Sequence, residues 1–179
     1  MSLNSPDFSG KKIYYAGSIR GAAEQDQELP WHIVRYMADH GAEVLSEHVA
    51  ARTPEEREAI RATHIGQTII DTYGRANTDE QIRGIDLAWV READYMVAVV
   101  NAPSLGVGME LQYALLKPDL GMQITPILAL VHKEFQAQLS AMVRGVTEPQ
   151  FHLYQYETLE DIRAKISWFL TKGKSRNST

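Results

Sequence analysis

The sequence predicts an α/β fold, a flavodoxin-like doubly wound parallel sheet of about five strands with helices on both faces. Short apolar runs typical of strands alternate along the chain with amphipathic patterns typical of helices. The run at 95–100 is apolar or aromatic throughout, as in a strand that is covered on both faces. Two glycine-containing loops, 17–21 and 103–108, directly follow strand patterns, so both are expected at the carboxyl edge of the sheet, where such folds bind ligands.

The composition of the 179-residue chain narrows the possible partners. The formal net charge of −5 argues against binding to a nucleic-acid polymer, and no apolar stretch is long enough to span a membrane. Cysteine is absent, which excludes disulfides and cysteine-based metal sites and fits a reducing compartment. The six histidines show no ligand spacing. We therefore expect a cytoplasmic protein with no metal and no cofactor.

We expect a single domain over 11–171, between flexible termini at 1–10 and 172–179. The first strand is predicted at 12–16, and a helix at 28–40 follows because one stripe is apolar and Gly41 provides a stop. A short strand is predicted at 43–47. A capping box at 53–56, with proline at the first helical position, predicts a helix that runs to about residue 73.

In the second half of the chain, a capping box at 78–81 predicts a helix that ends near residue 94. The strand at 95–100 leads through the glycine loop into a helix predicted to begin at residue 108 and to end before Pro118. The remaining elements are a strand at 124–131, a short helix at 135–144, an edge strand at 151–156 and a helix at 158–170.

Glu110 is the first candidate for chemistry. On this prediction it lies in the first turn of the helix after the glycine loop, where the helix dipole favours an ionised carboxylate. The backbone N–H groups of the same loop favour an anion such as phosphate. Glu110 is therefore a candidate nucleophile beside a phosphate-binding loop, although a glutamate in a first turn is also an ordinary helix-stabilising residue.

Asp86 is the second candidate. Within the predicted helix it lies on the same stripe as Ile82, Trp89 and Val90, which spacing assigns to the buried side. A carboxylate on a buried stripe must be paired, protonated or functional. Burial would raise its pKa, which suits proton transfer, whereas a structural salt bridge is the other interpretation.

Polar side chains after the strands complete the candidate site. Tyr14 and Tyr15 point to opposite faces of the sheet, so one of them is expected in the core and the other can bring its hydroxyl near the site. Ser18, Arg20 and Ser104 lie in the two glycine loops, where a guanidinium can bind phosphate through two hydrogen bonds. Solvated loop residues are the alternative interpretation.

These segments together resemble the 2'-deoxynucleoside 5'-phosphate N-hydrolase family, a branch of the nucleoside 2-deoxyribosyltransferase superfamily. The most specific pair is Gly-Ser-Ile-Arg-Gly at 17–21 with Ser-Leu-Gly-Val-Gly-Met-Glu at 104–110. The other matching segments lie at 46–50, 86–89, 93–94 and 139–145. They span most of the chain in the expected order.

The resemblance implies hydrolysis of the N-glycosidic bond of a nucleoside 5'-monophosphate, with catalytic roles for Glu110 as nucleophile, Asp86 as the acid that helps the base leave, and Tyr14 as the residue that orients the nucleophile. It also implies a homodimer, in which the segment at 139–142 reaches the site of the neighbouring subunit. The implied phosphate-binding residues are Ser18, Arg20, Ser104, Gly106, Gly108 and, from the neighbouring subunit, Ser140. The implied base-binding residues are Ile19, His48 and, from the neighbouring subunit, Met142.

Three alternatives remain open from sequence. The first is a nucleoside 2-deoxyribosyltransferase, which passes the sugar to another base, although the serine and arginine of the 17–21 loop favour a phosphorylated substrate. The second is a ribonucleotide N-hydrolase of the CMP type, since one hydroxyl is excluded by pocket shape. The third is a non-catalytic nucleotide-binding module, because fold alone does not define function.

Overall fold

A computed structural model describes residues 5–17, 28–46, 50, 52–53 and 79–172. Within these ranges five strands form one parallel sheet in the order β2-β1-β3-β4-β5. This is the flavodoxin-like order, so the predicted fold class is confirmed. The strands are β1 Lys12–Ala16, β2 Glu43–Val44, β3 Tyr95–Val99, β4 Ile127–His132 and β5 Phe151–Tyr156.

Helices connect the strands and cover both faces. The described helices are α1 Leu29–Asp39, α2 Asp79–Glu92, α3 Leu105–Leu116, a 3-10 helix Lys133–Gln138, α4 Ala141–Arg144 and α5 Leu159–Lys172. Helices α1 and α5 pack on one face of the sheet, and α2, α3 and the segment around α4 pack on the other. The part of the chain that the structure describes contains no helix long and apolar enough to cross a membrane.

Most predicted elements are present, but several differ in their bounds, among them the strand predicted at 124–131, which spans Ile127–His132. The helix predicted from residue 108 begins at Leu105, because Ser104 caps it and the glycines within it take helical conformation. The helix predicted at 135–144 is divided in two, since Leu139 and Ser140 have extended backbone angles. Strand β2 is two residues long. The helix predicted at 53–73 lies outside the described residues.

The alternation of β1 places its two tyrosines on opposite faces, as predicted from the strand period. Tyr15 packs with the α1 and α5 layer, and Tyr14 packs with the α2 and α3 layer. Both are almost fully buried. Phe8 precedes β1, in the segment expected to be a flexible terminus, yet it is fully buried and its N–H donates to the carbonyl of His40 at 2.7 Å.

Two polar side chains hold the carboxyl ends of the strands together. The Ser46 hydroxyl accepts from the Tyr15 N–H at 2.9 Å and donates to the Tyr15 carbonyl at 2.7 Å. Asn101, two residues after β3, donates to the Tyr156 hydroxyl at 2.6 Å and accepts from the His132 N–H at 2.7 Å. The edge of the sheet where the candidate site lies is therefore cross-linked across its strands.

Candidate active site

Tyr14 directs its hydroxyl to the carboxylate of Glu110. Tyr14 is in the third of the five positions of β1, with only 2% of its surface exposed. Its side chain donates a hydrogen bond to Glu110. Burial, and then the negative charges of Glu110 and Asp86, raise the pKa of Tyr14 well above its usual value. Tyr14 therefore remains a neutral donor throughout the physiological pH range.

Glu110 is half-buried on α3, at the sixth residue of the helix. The prediction that it lies in the first turn is wrong, because the helix starts three residues before the predicted position. The influence of the helix dipole is strongest in the first turn and falls off beyond it. The predicted stabilisation of the ionised carboxylate by the helix dipole is therefore weaker at Glu110 than a first-turn position would give.

Burial, and then the charge of Asp86, raise the pKa of Glu110 from 4.5 to about 7. The hydrogen bond from Tyr14 acts in the opposite direction, because it favours the ionised carboxylate. The two carboxyl groups are therefore close enough to share one electrostatic environment, although 24 positions of sequence separate them. A carboxyl group with a pKa near 7 beside a second carboxyl group is a typical functional-site signal.

Asp86 lies on α2, which packs against α3. It is half-buried and sits one residue after the buried Ile85 on the inward stripe of the helix. Its charge raises the pKa of both Tyr14 and Glu110. The structure thus brings together the three side chains that the sequence proposed as catalytic, from β1, α2 and α3.

The start of α3 offers an open surface next to this cluster. Ser104 is the N-cap residue, and its hydroxyl accepts from the Val107 N–H at 3.4 Å, a long and weak bond. Gly106 and Gly108 are exposed. Among the described residues, a Cβ atom at Gly108 would have no neighbour within 4 Å, and one at Gly106 would meet only the Ser104 hydroxyl at 3.9 Å. The described part of the chain therefore leaves room above this first turn for an anion.

Several predicted site residues are not part of this cluster. Ser18, Ile19, Arg20 and His48 lie outside the described residues. Ser140 and Met142 are exposed at the start of α4, where the Ser140 hydroxyl caps the helix by accepting from the Met142 N–H at 3.2 Å. Met142 is 79% exposed, as a residue that reaches another subunit would be in a single chain. Among the described residues, no group of three or more histidine or acidic side chains could hold a metal ion.

The sequence analysis missed Lys117 and Asn101. Lys117 is 1% exposed and hydrogen-bonds to backbone carbonyls of the helix that carries Asp86. Nothing in the sequence around Lys117 and Pro118 distinguishes a buried lysine at a helix end from a solvated one. Asn101 follows an apolar strand directly, which is a weak indication of a polar clamp at the carboxyl edge.

The fold and the site define a class: a flavodoxin-like α/β protein with two carboxyl groups and a tyrosine hydroxyl beside the glycine-containing start of a helix. Comparison with known proteins narrows this class to one family. A 5-hydroxymethyl-dUMP N-hydrolase of Mus musculus is 40% identical over 145 residues, which cover 80% of this chain and 71% of that protein. A Trichoplax adhaerens protein with the provisional name 2'-deoxynucleoside 5'-phosphate N-hydrolase 1 is 31% identical over 93% of this chain and 97% of its own length.

The chain belongs to the 2'-deoxynucleoside 5'-phosphate N-hydrolase family and is therefore an enzyme of the N-hydrolase class. The resemblance found in the sequence is confirmed. A CMP N-glycosidase of Clostridium botulinum shares the fold, with a TM-score of 0.57, 16% identity and coverage of 89% of this chain and 99% of that structure. No family model matches the chain.

Proposed function

We propose that this enzyme hydrolyses the N-glycosidic bond of a 2'-deoxynucleoside 5'-monophosphate, releasing the free base and 2-deoxyribose 5-phosphate, with Glu110 as nucleophile. The observation that carries the proposal is the contact of Glu110 with the Tyr14 hydroxyl beside Asp86. Binding of phosphate alone has no need of two carboxyl groups, since both would repel the anion. The names of the relatives support a deoxynucleotide as substrate.

The first step breaks the bond between C1' and the base nitrogen. Positive charge develops on the sugar ring, and the Glu110 carboxylate stabilises it and forms a bond to C1'. Asp86 gives a proton to the departing base, so the electron pair of the broken bond leaves with a neutral base. Tyr14 holds the attacking carboxylate in one orientation and stabilises its charged form by its hydrogen bond.

The second step releases the sugar. A water molecule attacks C1' as the bond to Glu110 breaks, and Asp86, now ionised, accepts the proton of that water. The products are 2-deoxyribose 5-phosphate and an enzyme with both carboxyl groups returned to their starting protonation. Repulsion between the two close carboxyl groups favours the state of the pair with a single proton, and the reaction proceeds from the form in which Asp86 holds that proton and Glu110 is ionised.

The start of α3 would bind the 5'-phosphate. Ser104 and Gly106 offer a hydroxyl and a backbone N–H group there, and Gly108 adds no side chain, while its own N–H donates to the Ser104 carbonyl at 3.1 Å. Ser18 and Arg20 would add a hydroxyl and a guanidinium, and Ile19 and His48 would contact the base, as their family motifs imply. Binding energy from the phosphate, which does not react, would position the sugar over Glu110.

We also propose that the enzyme is a cytoplasmic homodimer with shared sites. Large apolar side chains on α3 and in the turn after it are exposed: Leu105, Met109, Leu116 and Leu120. The first three lie within about 40° of one another around the helix, so they form one stripe. Met142 is exposed on the same side of the sheet. An apolar stripe of this kind marks an interface, and a second copy that covers it would bring its Ser140 and Met142 toward the Glu110 site.

A substrate panel tests the reaction. Purified enzyme is incubated with the four common deoxynucleoside 5'-monophosphates, 5-hydroxymethyl-dUMP, the matching ribonucleotides and the unphosphorylated nucleosides, and free base is measured by liquid chromatography. We expect base release only from 5'-phosphorylated substrates, with deoxyribose preferred. Equal turnover of nucleosides without phosphate would overturn the phosphate-dependent mechanism, and a preference for CMP would favour the ribonucleotide alternative.

Two controls separate the remaining alternatives. An added acceptor base distinguishes a transferase, because a transferase would form a new nucleotide whereas a hydrolase would release the sugar phosphate. Glu110→Ala should remove turnover by several orders of magnitude and keep nucleotide binding. Glu160→Gln, in the exposed first turn of α5, is the matched control and should leave activity unchanged.

A further inference from the structure

Lys117 is buried between the two helices that carry the carboxyl groups, and the mechanism does not use it. It follows the last residue of α3, two turns and about 10 Å along the helix axis from Glu110. Its ammonium donates to the carbonyls of Val90 at 3.1 Å and Arg91 at 2.8 Å. Both carbonyls belong to the last turns of α2, and Val90 is one turn after Asp86.

The surroundings of this ammonium fix its position. It also contacts the Ala93 carbonyl at 3.3 Å and the Thr125 hydroxyl oxygen at 2.5 Å, and that hydroxyl donates to the same carbonyl at 3.1 Å. A positive charge at the carboxyl end of a helix is favourable, because the last carbonyls of the helix lack partners within it. Burial lowers the pKa of Lys117, while the charge of Asp94 opposes this change.

A second and weaker link joins the same two helices at the surface. The Arg91 guanidinium of α2 donates to the Tyr113 hydroxyl of α3 at 3.2 and 3.3 Å. This link is exposed, so it contributes little to a fixed geometry. The buried Lys117 contacts are shielded from water and therefore define the relative position of α2 and α3 more strictly.

We propose that Lys117 is a positioning residue, whose ammonium ties the carboxyl end of α2 to that of α3 and thereby fixes the separation of Asp86 from Glu110. The proposal rests on the proposed function in that it assigns catalytic roles to these two carboxyl groups. Lys117 itself does not touch the substrate. Its effect on the reaction would pass entirely through the position of Asp86.

The pKa of Glu110 measures this separation directly. The groups that act on it among the described residues are Asp86, whose charge raises it, and Tyr14, whose hydrogen bond lowers it. The test uses carbon-13 labelled protein without substrate, follows the Glu110 carboxyl by NMR between pH 4 and 9, and assigns its signal with Glu110→Gln. Asp86→Asn is the positive control and should lower the pKa.

In Lys117→Met the end of α2 is released, and we expect the pKa of Glu110 to fall, because the repulsion from Asp86 weakens as Asp86 moves away. Loss of the lysine charge alone would act in the opposite direction, because removal of a nearby cation raises the pKa of a carboxyl group. The sign therefore separates repositioning from a direct charge effect. Lys133→Met, which removes an exposed lysine paired with Glu157, is the matched control and should cause no shift.

The double variant Lys117→Met with Asp86→Asn completes the test. If Lys117 acts through Asp86, the double variant should titrate like Asp86→Asn alone. An unchanged or raised pKa in folded Lys117→Met, or additive shifts in the double variant, would overturn the proposal. If Lys117→Met does not fold, Thr125→Val decides in the same way, since it removes one partner of the ammonium and keeps the lysine.

The titration and the activity assay answer separate questions. The titration needs no turnover, so a lowered Glu110 pKa with no base release from any nucleotide would contradict the proposed function and leave the positioning role of Lys117 intact. Base release by the wild type, together with an unshifted Glu110 pKa in the variants, would support the proposed function and contradict the positioning role of Lys117. In active variants we expect kcat to fall more than KM rises, because the phosphate-binding end of α3 is distant from Lys117.

Discussion

At Glu110, two effects of opposite sign act on one carboxyl group. Burial and the charge of Asp86 raise the pKa to about 7, whereas the Tyr14 hydroxyl favours the ionised form. The reaction needs Glu110 ionised while Asp86 keeps a proton, so kcat/KM should be highest where the pair holds one proton and should fall as pH rises above about 7. The Tyr14 hydrogen bond therefore extends the active range of the enzyme toward lower pH.

The first prediction concerns Tyr14→Phe. Removal of the donor raises the pKa of Glu110 further, because the charged carboxylate loses a hydrogen bond of about 1.5–3 kcal/mol, or roughly one to two pKa units. We expect kcat/KM, relative to the wild type at the same pH, to fall about 10- to 100-fold at pH 6.5 and to recover much of this loss at pH 9. The measurement is the pH profile of kcat/KM. A loss of equal size at every pH would show that Tyr14 acts on something other than the ionisation of Glu110.

The second prediction concerns stability. A carboxyl group with a pKa of 4.5 unfolded and about 7 folded binds more protons in the folded state, so the free energy of unfolding falls as pH rises between these values. The loss is at most about 3–4 kcal/mol. Glu110→Gln does not titrate, so we expect it to be more stable than the wild type at pH 8 and to lose this advantage by pH 4.5.

Urea unfolding of both proteins at pH 4.5, 6 and 8 measures this difference. Glu160→Gln serves as the control, because Glu160 is exposed on α5 and should give no pH-dependent gain. Equal stability of wild type and Glu110→Gln at pH 8 would mean that the Glu110 carboxylate carries no strain in the folded protein, and the electrostatic account of the site would be wrong.

At the scale of elements, the start of α3 has two proposed functions, helix capping and phosphate binding. Both involve Ser104, so one substitution can test them separately. Ser104 caps the helix with a weak bond at 3.4 Å and also lies where the phosphate is proposed to bind. For Ser104→Ala we expect a small loss of stability, about 0.5–1 kcal/mol, and an increase of about ten-fold or more in KM for a nucleoside monophosphate.

Thermal unfolding and steady-state kinetics together check this third prediction. Ser140→Ala removes a helix cap of the same type on α4, so the stability losses of the two variants can be compared directly. A loss of stability in Ser104→Ala without any change in KM would assign Ser104 to capping alone and would place the phosphate elsewhere.

At the scale of the whole molecule, the exposed stripe of α3 and the exposed Met142 form the surface that the proposed second copy of the chain would cover. The fourth prediction uses Glu110→Gln and Ser140→Ala, which are mixed and allowed to exchange subunits, then assayed at a low substrate concentration where each variant alone is nearly inactive. If the sites are shared, half of the dimers are mixed and one of their two sites is intact, so about a quarter of the wild-type activity should return.

Activity of the mixture that equals the average of the two separate variants would show that each chain carries a complete site. Leu116→Glu gives an independent check, because a charge in the apolar stripe should disfavour the dimer. Its mass by light scattering should be that of one chain, and its activity should be strongly reduced. A fully active monomer would contradict the shared-site proposal.

The fold was predictable because it depends on local patterns. Alternation and helical spacing indicate which face of each element is buried, and parallel strands leave few possible arrangements. The segments 17–21 and 104–110 carried enough specific chemistry to identify the family before any geometry was known. Strand bounds such as those of β2 were less certain, since they depend on neighbours that are distant in sequence.

The ionisation of Glu110 was beyond the reach of the sequence. An argument from the first helical turn predicted a stabilised carboxylate, but the helix starts at Leu105 and the chain folds Asp86 of α2 against it. Burial and the negative charge of Asp86 raise the pKa of Glu110 more than the dipole of α3 lowers it. Both effects act at short range, inside the protein, where charges are weakly screened. The burial of Lys117 was also beyond the reach of the sequence. A buried lysine and a solvated lysine look the same in the sequence, and only the packing of α2 on α3 distinguishes them.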